Sequence, residues 1–533
     1  METFDKKKFY DFLMSRLPGI LSQLDRDEDS PTFGSFDRNW WHYHIRDFSS
    51  IIVQQGMLIL DALYRYDLPD NEWFQNPLAK KWVDGSINFW AGQQLKSGAF
   101  NEYYPWESGY PPTAFSLYAV GYVLKERNFP EQTAHIQKAI QKTCNWLLKH
   151  PEKDAYNQEA AGLAGLVLCS RVPGIEVDKQ KLEKRLKAFF EGQSNEGWFP
   201  EYNGPDLGYL SVTIDCLWDI YELTGDERAL NSIEKAVDFI AKMISVSGHT
   251  PVMINSRNTD YIVPYGISRY ARQSPVAARI IQTLYSSAGD PIYFLNRTDD
   301  RYACHYVYQS CFRSLSYLKE MTPETIRLPF EKDFDGFLDH SGILIKHQSE
   351  NHSLFINATK GGILNLFDKK GIREVDFGWR LKLEIKKVAV SHWLDQDYKT
   401  DLSTNDVLTV KGNMSSHGWM KTTPFRHMVL RVLSFLFGNR LIPALKKAMI
   451  LGKSSLDVKF VRTIALENGR IKITDRFSGP ALRNRQLYRA PHYSLRHVSS
   501  AGQFVPEEMI EIDQRKYETS GSDKLDISRE ISF

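Results

Sequence analysis

The stretch Glu196-Gly-Trp-Phe-Pro-Glu-Tyr-Asn-Gly-Pro-Asp-Leu-Gly-Tyr209 decides how this chain is read. Gly197, Gly204, Pro205 and Gly208 keep it out of regular structure, and it runs into an apolar segment, 210–223. There Ile214, Leu217, Trp218 and Tyr221 fall at i, i+3, i+4 and i+7, one face of a helix. Glu201, Tyr202, Asp206 and Tyr209 are therefore expected at the mouth of a helix, on a loop set by a rigid scaffold, a common form of active site.

The stretch has a copy. Moving back 99 residues, Gly98, Phe100, Glu102, Tyr103, Gly109 and Tyr110 match Gly197, Phe199, Glu201, Tyr202, Gly208 and Tyr209. The earlier loop also feeds an apolar helix, 114–124. Two readings stand: a repeated functional loop, or the same turn made twice. Both imply a repeating architecture.

Working outward, helical segments are expected at about 50–66, 76–95, 111–126, 131–149, 157–170, 178–192, 210–224, 228–246 and 275–287, with more up to Leu318. A short helix and an acidic linker fill 1–30. Loops opening every second helix fall near 47, 110, 157, 209, 261 and 306, roughly fifty residues apart, the length of one helical hairpin. Six such hairpins with like ends gathered make an (α/α) toroid whose inner-helix mouths line a cleft; an open solenoid of helical pairs is the alternative. After Pro323 the texture turns to β: 342–346 and 353–357 are short apolar runs, and Asn468-Gly469 between apolar runs signals a hairpin. The expected domains are thus a toroid over 1–325 and an antiparallel β-sandwich over 326–533.

One insertion, 424–453, does not fit a sandwich. It reads as two short apolar helices carrying Arg426, Arg431, Arg440, Lys446, Lys447 and Lys453, and no acidic residue occurs between Asp406 and Asp457. It is either a basic amphipathic element making peripheral membrane contact or a hairpin packed on the toroid with its basic face solvated.

At 533 residues with formal charge +2, the chain has ample core and no global electrostatic case for nucleic acid. The five cysteines form no C-x-x-C pair, which argues against a disulfide framework or zinc site. No metal-ligand cluster, phosphate loop or Gly-x-Ser-x-Gly elbow stands out, so no cofactor is expected. The N-terminus lacks an apolar h-region, and no uninterrupted apolar run reaches roughly 18 residues. No signal peptide and no membrane span are therefore expected, and a cytoplasmic location, with membrane association through the insertion as a variant, follows. Oligomeric state is not set by the sequence.

A toroid followed by a sandwich, with such loops, resembles the heparinase II/III-like and alginate-lyase group of polysaccharide lyases. Tyr156-Asn-Gln-Glu-Ala-Ala-Gly-Leu-Ala-Gly165 resembles that group's Asn-His segment, and Glu196 to Tyr209 its later tyrosine-bearing loop. The resemblance implies that Asn157 neutralises a substrate carboxylate and that Tyr209 transfers a proton. Two departures accompany it: Gln158 replaces the histidine of several members, and Thr359-Lys-Gly-Gly-Ile-Leu-Asn-Leu-Phe367 lacks their histidine-rich signature. The implied substrate is an acidic polysaccharide, split by abstraction of the uronate C5 proton and β-elimination. That chemistry needs donors aimed at the developing charge and an acid–base pair. Tyrosine, with an ordinary pKa of about 10, acts as a base only beside cations or amides. Arg257 could supply the charge or pair with Asp260. His42 and His44 would share a face if extended and could act as base; His305, His392 and His417 are further candidates. Asn157 could instead be a helix cap and Tyr209 a packed aromatic. Glu102, Tyr103, Tyr104, Glu159, Glu201, Tyr202, Asp206, Asn258 and Tyr261 complete the expected substrate-binding set. A uronyl C5-epimerase, an inverting glycoside hydrolase using two carboxylates about 6.5–9.5 Å apart, and a non-catalytic polysaccharide-binding protein remain alternatives.

Overall fold

Helices that are apolar all round sit inside a fold, and amphipathic ones outside. The chain uses both in alternation. In the computed structural model of the protein, the described residues are 5–532 except 69, 126–132, 287–293, 319–324, 349–350, 405, 420, 453, 468, 496–503 and 520. Pro323, Lys453 and Asn468 lie outside them. The helices are α1 (Lys6–Leu21), α2 (Arg38–Trp41), α3 (Met57–Arg65, after a 3₁₀ turn Ile51–Gly56), α4 (Pro77–Gly92) and α5 (Tyr110–Leu124). Then come α6 (Thr133–Lys149), α7 (Tyr156–Cys169), α8 (Lys179–Glu191), α9 (Leu207–Thr224) and α10 (Glu227–Lys242). The last four are α11 (Tyr265–Tyr270), α12 (Pro275–Tyr285), α13 (Asp300–Ala303) and α14 (Val307–Leu318). All of α5 except Pro111 is buried, as is every residue of α9 from Leu207 to Ile220. By contrast α8 buries only Leu182, Leu186 and Phe189.

The inner helices close a ring: α3 packs on α5, α5 on α7, α7 on α9, α9 on α11, α11 on α14, and α14 back on α3. Around them lie α4, α6, α8, α10, α12 and α1. This is a closed (α/α) toroid of six hairpins, not an open solenoid. The inner helix at 265–270 is the one the sequence pattern did not give; it is only six residues long.

The 99-residue repeat has a physical cause. Gln94 Nε2 bridges Gly98 O (3.4 Å) and Ala139 O (2.7 Å), and Gln193 Nε2 bridges Gly197 O (2.8 Å) and Ser232 O (2.9 Å). Each glutamine ties the turn after one outer helix to the next outer helix. Gly98 and Gly197 have φ of +95° and +103°, and a Cβ on Gly197 would lie 2.1 Å from Lys235 O. For these residues the same-turn reading holds.

The ring's axis is filled by a buried ionic cluster. Arg313, on α14 and fully buried, donates through Nη1 to the Tyr118 hydroxyl (2.7 Å) and lies 3.4 Å from Asp219 and 3.5 Å from Asp215. Tyr118 and Tyr265 donate to Asp219 at 2.5 and 2.9 Å, and Gly266 N to Asp215 at 2.7 Å. Burial pushes Asp215 up to about 6 despite the Arg313 charge.

Helix gives way to strand between Leu318 and Phe334. Sheet 1 is an antiparallel meander of β1 (Phe334–Leu338), β2 (Ile343–Gln348), β3 (His352–Asn357), β4 (Ile363–Asp368) and β5 (Gly371–Asp376). Sheet 2 contains β6 (Trp379–Glu384), β7 (Lys387–Val390), β8 (Lys399–Thr404), β9 (Val407–Gly418), β10 (Ser455–Glu467), β11 (Arg470–Ser478), β12 (Gln486–Arg489), β13 (Lys516–Glu518) and β14 (Lys524–Ser532). Its order is β13-β12-β6-β7-β9-β10-β11-β14, with β8 also on β9, and Glu467 pairs with Arg470 across the expected hairpin. Leu344, Leu354, Ile356, Leu364 and Leu366 of sheet 1 pack against sheet 2, while Ile343, Ile345, Phe355 and Phe367 join the toroid's core. Sheet 1 is therefore a middle layer whose central strands β2–β4 are buried on both faces, which is why they read as continuous apolar runs rather than alternations.

Between β9 and β10 the insertion forms α15 (Pro424–Phe437), a 3₁₀ turn (Gly438–Leu441) and α16 (Ile442–Lys446), with helical structure continuing to Leu451. Here the structure corrects the expectation that nothing could span a membrane. Pro424–Leu451, 28 residues, is long and apolar enough to do so by length and composition alone.

Arg313→Met should leave two carboxylates buried without their cation and lower stability by about 3–5 kcal/mol. Denaturant unfolding monitored by circular dichroism reads this as a lower midpoint; an unchanged midpoint would show that the cluster does not hold the ring.

Candidate functional site

Backbone bonds join neighbouring mouths of the inner helices at three places. Ile51 N donates to Asn101 O (3.0 Å), Tyr202 N to Asp154 O (2.7 Å) and Ser256 N to Pro205 O (2.8 Å). Ser256 Oγ adds a bond to Glu201 O (2.7 Å). Left-handed backbone at non-glycine residues gathers in these loops: Trp106, Ser108, Tyr202, Asn203, Asn258 and Tyr306 have φ of 51° to 73°. Such conformations cost about 1–3 kcal/mol each and persist where surrounding structure over-determines them, often at functional sites.

Tyr209 stands in the first turn of α9. Its ring meets Tyr261 edge-on at 6.2 Å and Tyr306 at 5.8 Å, and Tyr306 meets Phe115 at 4.8 Å. Arg257 is buried with its guanidinium 3.9 Å over the Tyr202 ring. Burial alone would depress Arg257; the neighbouring Tyr202, Tyr209, Glu201 and Asp206 outweigh that and hold it above its ordinary value. Asp260 pairs with Arg297 instead of Arg257.

Asn157 opens α7, almost fully buried, with its N–H donating to Glu201 Oε1 (2.7 Å). The α7 cap, Ala155, makes no side-chain capping bond, so Asn157 is not the cap. The Asn157 side-chain oxygen and Glu201 Oε2 are both buried without hydrogen-bond partners. Burial pushes Glu201 well above the usual carboxylate range, with the Asp206 charge adding to it.

Other expected residues serve the scaffold. Asp206 caps α9: its oxygens accept from Tyr209 N (3.2 Å), Arg257 N (2.9 Å) and the Thr259 hydroxyl. Glu159 accepts from Tyr110 OH (2.7 Å) and Arg185 (2.5 Å) behind α7. Asn258 Oδ1 accepts from Lys360 Nζ at 2.9 Å. Tyr261 is buried with its hydroxyl unpartnered. Glu102 is buried at the base of its loop, Tyr104 is half-buried with its phenol pushed up by burial, and Tyr103 is exposed.

The histidines divide. His42 and His44 do not form an extended pair: the chain is helical up to Trp41 and His44 has φ of +50°. Both are exposed, with the His42 ring against Trp41 and Tyr43. His305 is buried and stacks on Tyr302 at 5.5 Å, beside Tyr306. His392 is buried in the sandwich half with both ring nitrogens unpartnered; burial and the charges of Arg380 and Lys360 keep it neutral. His417 lies between Trp393 and Trp419.

Three contributors were missed. Tyr306 has no local motif. Lys360 lies in the segment that departs from the family's histidine-rich signature and donates to Asn255 O (2.8 Å) as well as to Asn258. Lys446, known only as a charge of the insertion, sits 5.2 Å over the Tyr202 ring and pairs with Glu152 at 2.7 Å.

No family model matches the chain, and no curated protein matches it. Among solved structures, the chain is similar to the Streptomyces coelicolor A3 chondroitin AC lyase in complex with chondroitin sulphate. The TM-score is 0.52 at 10% identity, covering 91% of this chain and 68% of that one. It also matches the heparan sulfate lyase of Pedobacter heparinus (TM-score 0.36, 10% identity, 100% and 83% covered). A third match is a GH127 β-L-arabinofuranosidase of Geobacillus stearothermophilus T6 (0.36, 10%, 99% and 96%). The first match shows the same fold, a helical toroid followed by a β-sandwich.

Asp206 offers a test of the site's electrostatics. Burial raises it to about 6 from about 3.8, so the folded protein holds its proton more tightly than the unfolded chain. The stability linked to that proton is complete below about pH 4 and is lost as pH rises through about 6. The advantage of wild type over Asp206→Asn in unfolding midpoint should therefore be larger at pH 4 than at pH 7. The opposite trend would mean that its three donors outweigh burial.

Proposed function

We propose that the protein is a polysaccharide lyase that cleaves a uronate-containing polymer by C5 proton abstraction and β-elimination. The observation that carries this reading is the buried Arg257, its guanidinium 3.9 Å over the Tyr202 ring and its charge felt by Tyr209, at the mouth of an inner helix. A guanidinium near a buried phenol favours its ionised form against the burial that opposes it, which proton abstraction by tyrosine requires.

In this reading the substrate carboxylate lies against Arg257 and the Asn157 amide, beside the Glu201 carboxyl that burial pushes toward its protonated form. These groups stabilise the charge that develops as the C5 proton leaves. Tyr209 takes that proton, the electron pair forms the C4–C5 double bond, the C4–O bond breaks, and the leaving oxygen takes a proton back from Tyr209 or from water. The aromatic side chains of Tyr103 and Trp106, 57% and 43% exposed, give the polymer a platform at the mouth. A second reading, glycoside hydrolysis, draws on Glu201, whose buried, raised carboxyl also suits a general acid. An epimerase would share the first step and return a proton from the other face.

Incubation with a panel of uronate polymers in deuterated water separates these. A UV-absorbing unsaturated end marks the lyase, C5 deuterium without cleavage the epimerase, and new reducing ends without unsaturation the hydrolase. On the polymer processed, Tyr209→Phe should lose about 10²–10⁴-fold in kcat with little change in KM. Tyr110→Phe should instead cost stability, since its hydroxyl serves Glu159 and Arg185. Full activity in Tyr209→Phe would remove the tyrosine from the mechanism.

A further inference from the structure

A soluble helix turns its apolar face inward, and α15 does the reverse. Phe425, Met428, Val429, Val432 and Leu436 follow i, i+3, i+4, i+7 and i+11 spacing, a single stripe. They are 68%, 56%, 38%, 54% and 64% exposed, and Phe435 and Phe437 extend the patch. The opposite side faces the protein. Ser434 is buried and donates to Pro105 O (2.8 Å), Arg431 forms a two-pronged pair with Asp47 (2.7 Å each), and Lys446 pairs with Glu152.

Polar anchors and one edge-on contact, Phe435 against Trp106 at 5.4 Å, hold the element down, and the apolar stripe itself is left exposed among the described residues. An exposed patch of this kind marks an interaction surface. The charges identify the partner. Lys421, Arg426, Arg440 and Lys447 flank the stripe and are exposed, while the sequence has no acidic residue from 407 to 456. An apolar stripe bordered by cations fits a surface that is oily inside and anionic at its boundary. The bend at Gly438, φ +51°, and the anchors on both limbs lay the element flat, so it suits lying in a bilayer interface rather than crossing it.

We propose that residues 424–451 dock the protein onto the surface of an anionic lipid bilayer. The anchors at Asp47, Pro105 and Glu152 belong to the loops at the toroid mouths, so docking holds the candidate site next to the bilayer. The inference does not depend on which reaction the site performs.

The test is co-sedimentation of the full chain with phosphatidylglycerol-rich vesicles at low salt, beside pure phosphatidylcholine vesicles. Wild type should pellet with the anionic vesicles and be released by salt. Phe425→Asp/Leu436→Asp, at two exposed sites, should keep the wild-type unfolding midpoint and lose roughly tenfold in vesicle affinity per residue. Arg440→Glu/Lys447→Glu should weaken binding to anionic vesicles alone. Failure of wild type to pellet, or equal pelleting of the aspartate variant, overturns the proposal. So does a lipid-free dimer in sedimentation velocity that the aspartate variant abolishes, because a second copy would then be the occupant.

Discussion

The Arg313 guanidinium, with no surface exposed, sits where the inner helices converge, and the ring depends on it. Its partners come from α5 (Tyr118), α9 (Asp215, Asp219) and α11 (Tyr265). Apolar packing between such helices tolerates sliding; a buried charge does not. Moving one helix by a turn, about 5.4 Å, would separate the cation from its carboxylates in a medium that strengthens every unpaired charge. The cluster is weak evidence for stability, since apolar residues could fill the same space. It is strong evidence that the helices have one register.

That register reaches the mouths through the same helices. Asp215 and Asp219 lie two and three turns down α9 from Tyr209, so the ring that fixes the carboxylates also fixes the phenol. The loops between mouths are joined by backbone bonds and contain the left-handed residues Tyr202, Asn203 and Asn258. A loop that bends this way without glycine is held by its neighbours. Rigid mouths let Arg257 remain buried beside aromatic rings, and that burial makes its charge effective on a neighbouring phenol.

Much of this was legible because it repeats. The fifty-residue rhythm of loops gives six hairpins, and the apolar character of 110–124 and 207–224 marks them as inner helices. The 99-residue match was real, yet its shared chemistry belongs to the turns at Gln94 and Gln193 more than to a site. Tyr110 and Tyr209 align in sequence but differ in place: Tyr110 is the first residue of α5 and serves a salt bridge, whereas Tyr209 is the third of α9 and faces other tyrosines. Local pattern also could not show that His42 and His44 follow a helical turn, or that Asp206 and Glu159 have their oxygens occupied. Those facts depend on partners far along the chain, Thr259, Arg257 and Arg185.

The least legible feature is how the two halves meet. The central strands of sheet 1 are buried on both faces, so the sandwich cannot shift on the toroid without exposing Ile345, Phe355 and Phe367. With that contact fixed, side chains of the β half arrive at the mouths in set positions. Lys360, after β3, holds the loop bearing Asn255 and Asn258, Gln396 donates to Asn203 O (2.7 Å), and Lys446 reaches the Tyr202 ring. The candidate site is therefore not a property of the toroid alone. Tyr202 lies between a cation of its own half, Arg257, and one from the insertion, Lys446, so whatever moves the insertion also changes the field at Tyr202.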